Sequence, residues 1–212
     1  MELTPVTPPR PHDLLRLSDT AAETLPADAP TWARHALTAT PWVVVRRAAA
    51  PDGHIAVGIR GSGRSQRHAW SVAPQDVRWL VAPEDLADVD PTTGNEVAAI
   101  GALRSVRTFL AKAEVQWGPT GSVGFELATG SPTASPDSDL DLLVRAPHLT
   151  SEVLSRLTTL HDHFDRLEVR VDCQVETRTG GIALPELLST SRDVLVKTAL
   201  GPRLVQRAVA VR

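Results

Sequence analysis

Two aspartates stand one residue apart in the segment Ser138-Asp-Leu-Asp-Leu-Leu-Val144, and their spacing could serve metal-dependent chemistry. In an extended strand, side chains at i and i+2 project from the same face, roughly 6.5–7 Å apart along the chain. Asp139 and Asp141 would then share one face, while Leu140 and Leu142 point into a core. Two carboxylates on one exposed face repel each other unless a cation lies between them, and hard oxygen ligands suit Mg²⁺ or Mn²⁺. Taken alone, a D-x-D is more often a pair of solvated acids at the end of a strand.

A glycine-containing turn precedes this pair, in Trp117-Gly-Pro-Thr-Gly-Ser-Val-Gly-Phe-Glu126. Gly121 and Gly124 permit backbone geometries that other residues rarely adopt, and they allow a ligand to approach closely. Ser122 adds a hydroxyl and a backbone N–H, so the turn could bind a phosphate through its amides, and a helix starting there would attract the anion further. The absence of a G-K-[ST] sequence excludes a Walker-type P-loop. Followed by the two aspartates, the turn favours a nucleotidyl-transfer site over an ordinary turn.

A third carboxylate is available on the segment 169–176, whose apolar and polar residues alternate as in a half-buried strand. If this strand pairs beside the Asp139–Asp141 strand, Asp172 or Glu176 could complete a site of three carboxylates. Asp172 is the preferred candidate, because a short acid near the middle of a strand is held more rigidly. Either acid could instead belong to a solvent-facing polar row.

These features together resemble the nucleotidyltransferase fold that DNA polymerase beta shares. Longer strings resemble one family more narrowly, the phosphoribosyl-dephospho-CoA transferase of malonate decarboxylase, also known as malonate decarboxylase holo-acyl-carrier-protein synthase. The strings that carry this resemblance lie at 11–15, 58–67, 117–130, 138–147, 171–177 and 195–205. They touch both halves of the chain.

The resemblance implies a transferase and a reaction. Phosphoribosyl-dephospho-CoA would move from 2′-(5″-triphosphoribosyl)-3′-dephospho-CoA to a serine of the acyl-carrier subunit of malonate decarboxylase, with release of pyrophosphate. Asp139, Asp141 and Asp172 would hold Mg²⁺ or Mn²⁺, and Asp172 could take the serine proton. Gly121, Ser122 and Gly124 would bind the β- and γ-phosphates. A metal site of this kind agrees with two-metal chemistry, in which two ions about 3.5–4 Å apart stabilise the attacking and leaving oxygens.

Composition sets broad limits on the class of protein. The chain has 212 residues, 42% of them hydrophobic, and a formal net charge of −3, which gives no reason to expect nucleic-acid binding. No apolar run is long enough to cross a membrane, and the start of the chain has no apolar signal region. The single cysteine, Cys173, excludes an internal disulfide and a cysteine-based zinc site. We expect a cytoplasmic protein in which Cys173 is a packed thiol.

Element patterns predict an α+β fold with two domains. Residues 1–90 would form a small N-terminal α/β-hairpin domain that binds the carrier protein or the CoA moiety, and residues 91–212 a nucleotidyltransferase-like domain with a mixed sheet. In the first domain, Pro11 to Leu17 is predicted to be a short helical or docking segment. A helix from Thr150 to Phe164, with Thr150 as its N-cap, is predicted in the second. The remaining predictions are helices at 31–39, 95–113 and 184–191, and strands at 42–47, 54–60 and 194–200.

Two cationic groups are further candidates. Arg60, Arg64 and Arg67 surround a glycine-containing loop that could contact the CoA diphosphate or the carrier protein, or could equally be a solvated surface loop. Lys197 and Arg203 flank Gly201-Pro202 and could reach the triphosphate.

Two other functions stay open beside the transferase that the resemblance implies. One is a nucleotidyltransferase that acts on another protein or on a small molecule, with the same metal chemistry. The other is a catalytically silent module that only binds the carrier. Three acids in the required order speak against a silent module, because such a module has no need of clustered carboxylates.

Overall fold

The structure, a computed structural model, describes residues 8–63, 65–92 and 94–210. By its internal contacts the chain divides into two units, Met1–Ala82 and Pro83–Arg212. The division lies before the predicted boundary at residue 90, because the short 3-10 helix Pro83–Leu86 packs against a strand of the second unit. The chain combines helices with two separate β-sheets, so the fold is α+β, as predicted.

The first unit is a five-stranded antiparallel sheet with one α-helix on one of its faces. Its strands are β1 (Leu14–Leu17), β2 (Trp42–Val45), β3 (Ile55–Arg60), β4 (Arg67–Val72) and β5 (Val77–Val81), in the spatial order β4-β3-β2-β1-β5. The helix α1 (Thr31–Ala39) buries Ala33 and Leu37 against the inward residues of the strands. The predicted hairpin of β2 and β3 is present, with the register Val44 to Gly58.

The segment Pro11 to Leu17 is where the prediction for this unit was wrong. Leu14–Leu17 is a strand, β1, and it lies between β2 and β5 inside the sheet. Leu15 and Leu17 are fully buried, so the segment is part of the hydrophobic core. Four residues are too few for periodicity to separate a strand from a helix, and the strand forms because it pairs with partners distant in sequence.

The second unit is a six-stranded mixed sheet, and its elements begin after the 3-10 helix. The helices are α2 (Ala98–Lys112), α3 (Gly121–Thr129), α4 (Ser151–Phe164), α5 (Leu184–Leu188) and α6 (Arg207–Ala210). The strands are β6 (Gln116–Pro119), β7 (Leu140–Arg145), β8 (Val171–Thr177), β9 (Gly180–Ala183), β10 (Asp193–Thr198) and β11 (Gly201–Gln206), in the spatial order β11-β10-β9-β8-β7-β6. Strands β6, β9 and β11 are absent from the sequence prediction, and β9 and β11 each follow a tight turn.

A single pair of neighbouring strands in this sheet, β7 and β8, runs parallel, and the other recorded pairs are antiparallel. A parallel pair needs a crossover connection, and helix α4 supplies it. Thr150 caps α4 as predicted, since its hydroxyl accepts a hydrogen bond from the Val153 amide at 3.2 Å. Leu157 and Leu160 of α4 lie in one core with Leu103 of α2 and with the inward residues of β7 and β8.

Candidate active site

The parallel pairing of β7 and β8 brings two of the predicted carboxylates side by side. Asp141 and Asp172 are direct register partners, so their Cα atoms are about 4.8 Å apart and their side chains leave the same face. Their neighbours Leu140, Leu142 and Cys173 are buried on the opposite face. Asp139 lies one residue before β7 begins. The three predicted acids therefore occupy one end of the β7–β8 pair.

The two candidates for the third carboxylate lie at different places along β8. Asp172 is level with Asp141, whereas Glu176 is level with Arg145, four residues further along. Four residues of strand correspond to about 13 Å. Arg145 is itself 9% exposed and pairs with Glu84. Of the two acids, only Asp172 is near enough to share a ligand with Asp141.

The start of helix α3 lies directly against Asp141. Strand β6 passes into α3 through Thr120, whose amide donates to the Asp141 carbonyl oxygen at 2.9 Å. Gly121 has a φ of +60°, and a Cβ on it would lie 1.8 Å from Asp141 Oδ2. A Cβ on Gly124 would lie 2.5 Å from the Pro119 carbonyl oxygen. Both positions need glycine, one for its φ and its contact with the carboxylate and the other for the packing of α3 on β6.

Helix α3 therefore presents its N-terminal end beside the carboxylates. The first amides of an α-helix have no partner within the helix, and this end carries the positive pole of the helix dipole. Ser122, the second residue of α3, is buried at 6% exposure. A phosphate bound at Gly121 and Ser122 would meet these amides and would lie next to the acids that could hold its counter-cation.

A buried glutamate fixes the loop that leads into Asp139. Glu126 on α3 is 1% exposed. Its Oε2 accepts hydrogen bonds from the amides of Thr133 and Ala134 at 2.8 and 2.9 Å, and from Asn95 Nδ2 at 3.1 Å. Asn95 also donates to the Ala134 carbonyl oxygen at 3.0 Å. A buried carboxylate is costly unless it is hydrogen-bonded in this way, and these bonds tie the loop to α3.

Of the two cations predicted to reach the triphosphate, the strand register brings only one to the face of the carboxylates. Lys197 pairs with Gly181, which pairs in turn with Glu176, so Lys197 shares the face of Asp172. Its Nζ donates to Gln174 Oε1 at 3.1 Å. Arg203 pairs with Val196, which is fully buried in the core, so Arg203 projects from the opposite face.

The predicted arginine cluster lies in the first unit. Arg60 and Arg67 are register partners on β3 and β4, and Arg67 Nη1 donates to the carbonyl oxygens of Gly63 and Gln66 at 3.2 and 2.9 Å. Arg64 falls outside the described residues. A role of the cluster toward the CoA moiety or the carrier protein stays a prediction.

Cys173 is a packed thiol, as predicted. It is 5% exposed on the core side of β8, and burial raises the pKa of its thiol to about 12. A thiol that stays protonated at neutral pH is a poor nucleophile. Its burial on the core side and its raised pKa both argue against a role for Cys173 as a nucleophile.

The carboxylates suit a divalent cation by their chemistry, although they do not form a finished cage. Within the described ranges, no three His, Cys, Asp or Glu side chains are grouped so that they could hold a metal ion. Asp172 Oδ1 accepts a hydrogen bond from Arg170 Nη2 at 2.8 Å, and the two side chains are 47% and 71% exposed, respectively. Such an exposed pair contributes about 0–1 kcal/mol, so Asp172 can exchange it for a cation at small cost. Metal binding by Asp139, Asp141 and Asp172 stays a prediction.

Comparison with known proteins decides the family. Residues 10–83 match the family described as the phosphoribosyl-dephospho-CoA transferase MdcG N-terminal domain, and residues 85–208 match its C-terminal domain. The chain belongs to the phosphoribosyl-dephospho-CoA transferase family. It is similar to the phosphoribosyl-dephospho-CoA transferase of Pseudomonas putida (strain W619), with 45% identity over 93% of each chain. The enzyme of the same name from Azotobacter vinelandii is 41% identical over 93% of this chain and 92% of its own. No solved structure matches.

Membership in this family confirms the predicted resemblance and makes the chain a transferase. The two family domains meet between residues 83 and 85, next to the division between the two units at Ala82 and Pro83. In the described part of the chain no helix combines the length and the apolar character needed to cross a membrane.

Two parts of the site were missed by the sequence reasoning. One is the exact start of α3 at Gly121, because the sequence predicted a turn there, with a helical or irregular segment only from Val123. The other is Glu126 with its partner Asn95, which hold the loop before Asp139. A signal existed for Glu126, because it is the one charged residue in the apolar run Val123-Gly-Phe-Glu-Leu-Ala128. Asn95 gave no signal, since it lies 31 residues before its partner.

Proposed function

We propose that this transferase moves phosphoribosyl-dephospho-CoA from 2′-(5″-triphosphoribosyl)-3′-dephospho-CoA to a serine of the acyl-carrier subunit of malonate decarboxylase. Pyrophosphate is the leaving group. The family assignment supports the transferred group. The pairing of Asp141 with Asp172 beside the start of α3 is the observation that carries the site, because it joins a candidate cation site to a candidate phosphate site.

The roles of the residues follow from their positions. Asp139, Asp141 and Asp172 would hold Mg²⁺ or Mn²⁺, as in the nucleotidyltransferase superfamily that the sequence resembles. The amides at Gly121 and Ser122 would bind the β- and γ-phosphates, with Gly124 keeping α3 close to β6. Lys197 shares the carboxylate face and would neutralise phosphate charge. The register supports Asp172 over Glu176 as the proposed third acid, because Asp172 is level with Asp141.

The chemical step is an in-line displacement at phosphorus. The serine oxygen of the carrier forms a bond to the α-phosphorus, and the bond from that phosphorus to the β-phosphate oxygen breaks. The serine proton passes to a base, for which Asp172 is the candidate, and pyrophosphate leaves with the bonding electron pair. A bound divalent cation supplies charge stabilisation on the transferring oxygens. The chain's own contribution is to position the phosphates at α3 and to exclude other orientations.

The location of the reaction belongs to the same proposal. A carrier subunit, a CoA-derived substrate and an unpaired Cys173 all suit the reducing cytoplasm. We propose no nucleic-acid or membrane partner.

Intact-mass spectrometry of the carrier subunit tests the proposal. The apo carrier subunit of malonate decarboxylase is incubated with this protein, Mg²⁺ and triphosphoribosyl-dephospho-CoA, and a parallel sample contains ATP instead. We expect a mass gain equal to phosphoribosyl-dephospho-CoA in the first sample only, and none when the acceptor serine of the carrier is replaced by alanine. A gain only with ATP would show a nucleotidyltransferase with another donor, and no gain in either sample would refute this acceptor.

A further inference from the structure

The sheet of the first unit has a second face outside the core beneath α1, on which Leu14 and Ala56 are buried and Trp79 is exposed. Leu15, Leu17 and Val43 point into the core beneath α1. Because side chains alternate along a strand, Arg16 on β1 and Trp42 on β2 point to the other face. The face opposite the core therefore carries an aromatic and a cationic side chain on neighbouring strands.

These residues stand in one row across the sheet. Arg16 pairs with Trp42 on β2 and with Trp79 on β5. The register of β2 with β3 pairs Val44 with Gly58, and its extension by two residues brings Arg60 level with Trp42. Arg60 pairs with Arg67 on β4. We call this row of Trp79, Arg16, Trp42, Arg60 and Arg67 the Trp–Arg row.

The two tryptophans of the row differ from the other three in the chain. Trp32, Trp70 and Trp117 pack within or against a hydrophobic core, whereas neither Trp42 nor Trp79 belongs to one. Trp79 is 51% exposed, which leaves much of a large apolar ring in water. Burying an exposed indole against a ligand is favourable, so such a ring is well suited to binding.

Arg16, between the two indoles, is weakly engaged. Its Nη2 approaches Asp19 Oδ1 at 3.3 Å, and the Asp19 side chain is 83% exposed. Exposed ion pairs of this kind contribute little to stability, so the guanidinium can turn to an anionic ligand at low cost. A guanidinium binds phosphate oxygens through two parallel N–H donors.

We propose that the Trp–Arg row binds the adenosine diphosphate part of the dephospho-CoA group. The adenine would stack on an indole, and the diphosphate would be bound by the adjacent guanidinium groups, with Arg16 foremost. This inference rests on the proposed function, which supplies a substrate that contains an adenine and a diphosphate in one molecule. It assigns the recognition of that group to residues of the first unit.

The size of the row favours a nucleotide over a protein partner. Trp79, Arg16 and Trp42 lie on three adjacent strands and span about 10 Å, which is the scale of one nucleotide. A stable protein interface buries about 800 Å² on each partner, more than a row one residue wide provides. Alternating rings and cations also match the alternation of base and phosphate in a nucleotide.

Binding of 3′-dephospho-CoA to the full-length protein, without carrier subunit or triphosphate, is the test. Tryptophan fluorescence and calorimetry would give the Kd for wild-type protein, Trp79→Ala, Trp79→Phe and Arg16→Ala. We expect about tenfold weaker binding for Trp79→Ala and Arg16→Ala, with much of the affinity kept in Trp79→Phe because its ring can still stack. Arg78→Ala is the matched control, since Arg78 is an exposed arginine next to Trp79 that stands at the irregularity of the β1–β5 ladder. It should bind like wild type.

Other ligands separate the parts of the claim. ADP should compete for the row, and 4′-phosphopantetheine, which lacks the adenine, should not. Wild-type affinity in both Trp79→Ala and Arg16→Ala would overturn the inference. The same is true if these variants bind dephospho-CoA normally but need more carrier subunit for transfer, because the row would then dock the carrier. Since this assay contains no acceptor, a failed transfer reaction leaves its result intact, and the proposed function can fail separately.

Discussion

The two sheets of this protein carry different chemical groups on the faces that lie outside their cores. Each sheet buries one face in a hydrophobic core. The outer face of the antiparallel sheet carries Arg16, Trp42 and Trp79, whereas that of the mixed sheet carries Asp141 and Asp172. The first set suits a nucleotide and the second suits a cation.

The carboxylates lie side by side in the mixed sheet because strands β7 and β8 are parallel. In an antiparallel pair, residues at the start of one strand meet residues at the end of its neighbour. In the parallel pair β7 and β8, the strand starts lie together, so acids near both starts are brought level. Helix α4 makes this possible as the crossover, and the preceding strand ends in Pro119, from which α3 begins almost at once. The carboxylate site is therefore a consequence of topology, while the Trp–Arg row needs only register.

The largest expected effect is loss of transfer when an acid of the mixed sheet is replaced. Asp141→Asn and Asp139→Asn should each lower kcat by on the order of a thousandfold, because in the proposed site both acids bind the cation, and a cation ligand contributes several kcal/mol to the transition state. Their melting temperatures should change little, as neither acid lies in a core. Asp162→Asn, on the exposed side of α4, is the control and should keep full activity. Full activity in Asp141→Asn would show that the active site does not lie on this sheet.

The close contact between Gly121 and Asp141 gives a second test of the carboxylate face. Gly121→Ala places a Cβ 1.8 Å from Asp141 Oδ2 at a φ of +60°, so the carboxylate or the helix start must move. We expect kcat to fall by roughly a hundredfold, as a displacement of about 1 Å can have that effect. Gly130→Ala is the matched control, because its φ is +68° but the nearest atom is Thr92 Oγ1 at 3.7 Å. It should lose about 1–2 kcal/mol of stability and keep its kcat. Equal losses of kcat in both variants would contradict the role of the contact.

Replacement of Glu126 should lower the free energy of unfolding more than it lowers the rate of transfer. Glu126→Ala leaves the buried amides of Thr133 and Ala134 without an acceptor and should lower the free energy of unfolding by about 3 kcal/mol. Glu126→Gln keeps an acceptor oxygen and should recover much of this loss. Glu152→Ala removes an exposed pair with Arg156 and should change stability by less than about 0.5 kcal/mol. Urea denaturation gives the free energy of unfolding of all three variants. If Glu126→Ala loses no more stability than Glu152→Ala, other contacts than those of Glu126 hold the loop.

The smallest expected effect concerns Cys173 and appears only at high pH. Its thiol pKa is 9.0 when exposed and about 12 in the fold, so the unfolded chain loses this proton first as the pH rises. Stability from this group is therefore complete below pH 9 and declines between pH 9 and about 12. Cys173→Ala should lack that component when the free energy of unfolding is measured across this range. An identical decline in both proteins would mean that the thiol is not buried as described.

Local patterns predicted those parts of the fold whose stability is local. Helix α1 was predicted at its observed bounds, and α4 within one residue, because an amphipathic stripe is encoded in neighbouring residues. Thr150 caps α4 as predicted, whereas the N-cap of α1 is Pro30, which has no side-chain cap. Strand β1 was predicted as a helical or docking segment, and strands β4, β5, β6, β9 and β11 were not predicted, since each is defined by its pairing with other strands.

The candidate acids could be picked out from the sequence, but their arrangement could not. Alternation on β8 placed Asp172 and Glu176 on one face and left both as candidates. The register of β8 with β7 distinguishes the two acids, because it places Asp172 level with Asp141 and Glu176 level with Arg145. That register depends on the crossover helix α4, and local sequence patterns do not encode it. Register likewise places Lys197 with the acids and Arg203 on the other face, although the two lie close together in the sequence.

Manganese binding followed by electron paramagnetic resonance tests the central claim, that Asp141 and Asp172 form one cation site on the mixed sheet. Wild-type protein, Asp141→Asn, Asp172→Asn and Glu176→Gln would be titrated with Mn²⁺ in the presence of pyrophosphate. We predict a bound Mn²⁺ signal in wild type and in Glu176→Gln, and its loss in both aspartate variants. A bound signal that survives in Asp141→Asn and Asp172→Asn would contradict the account.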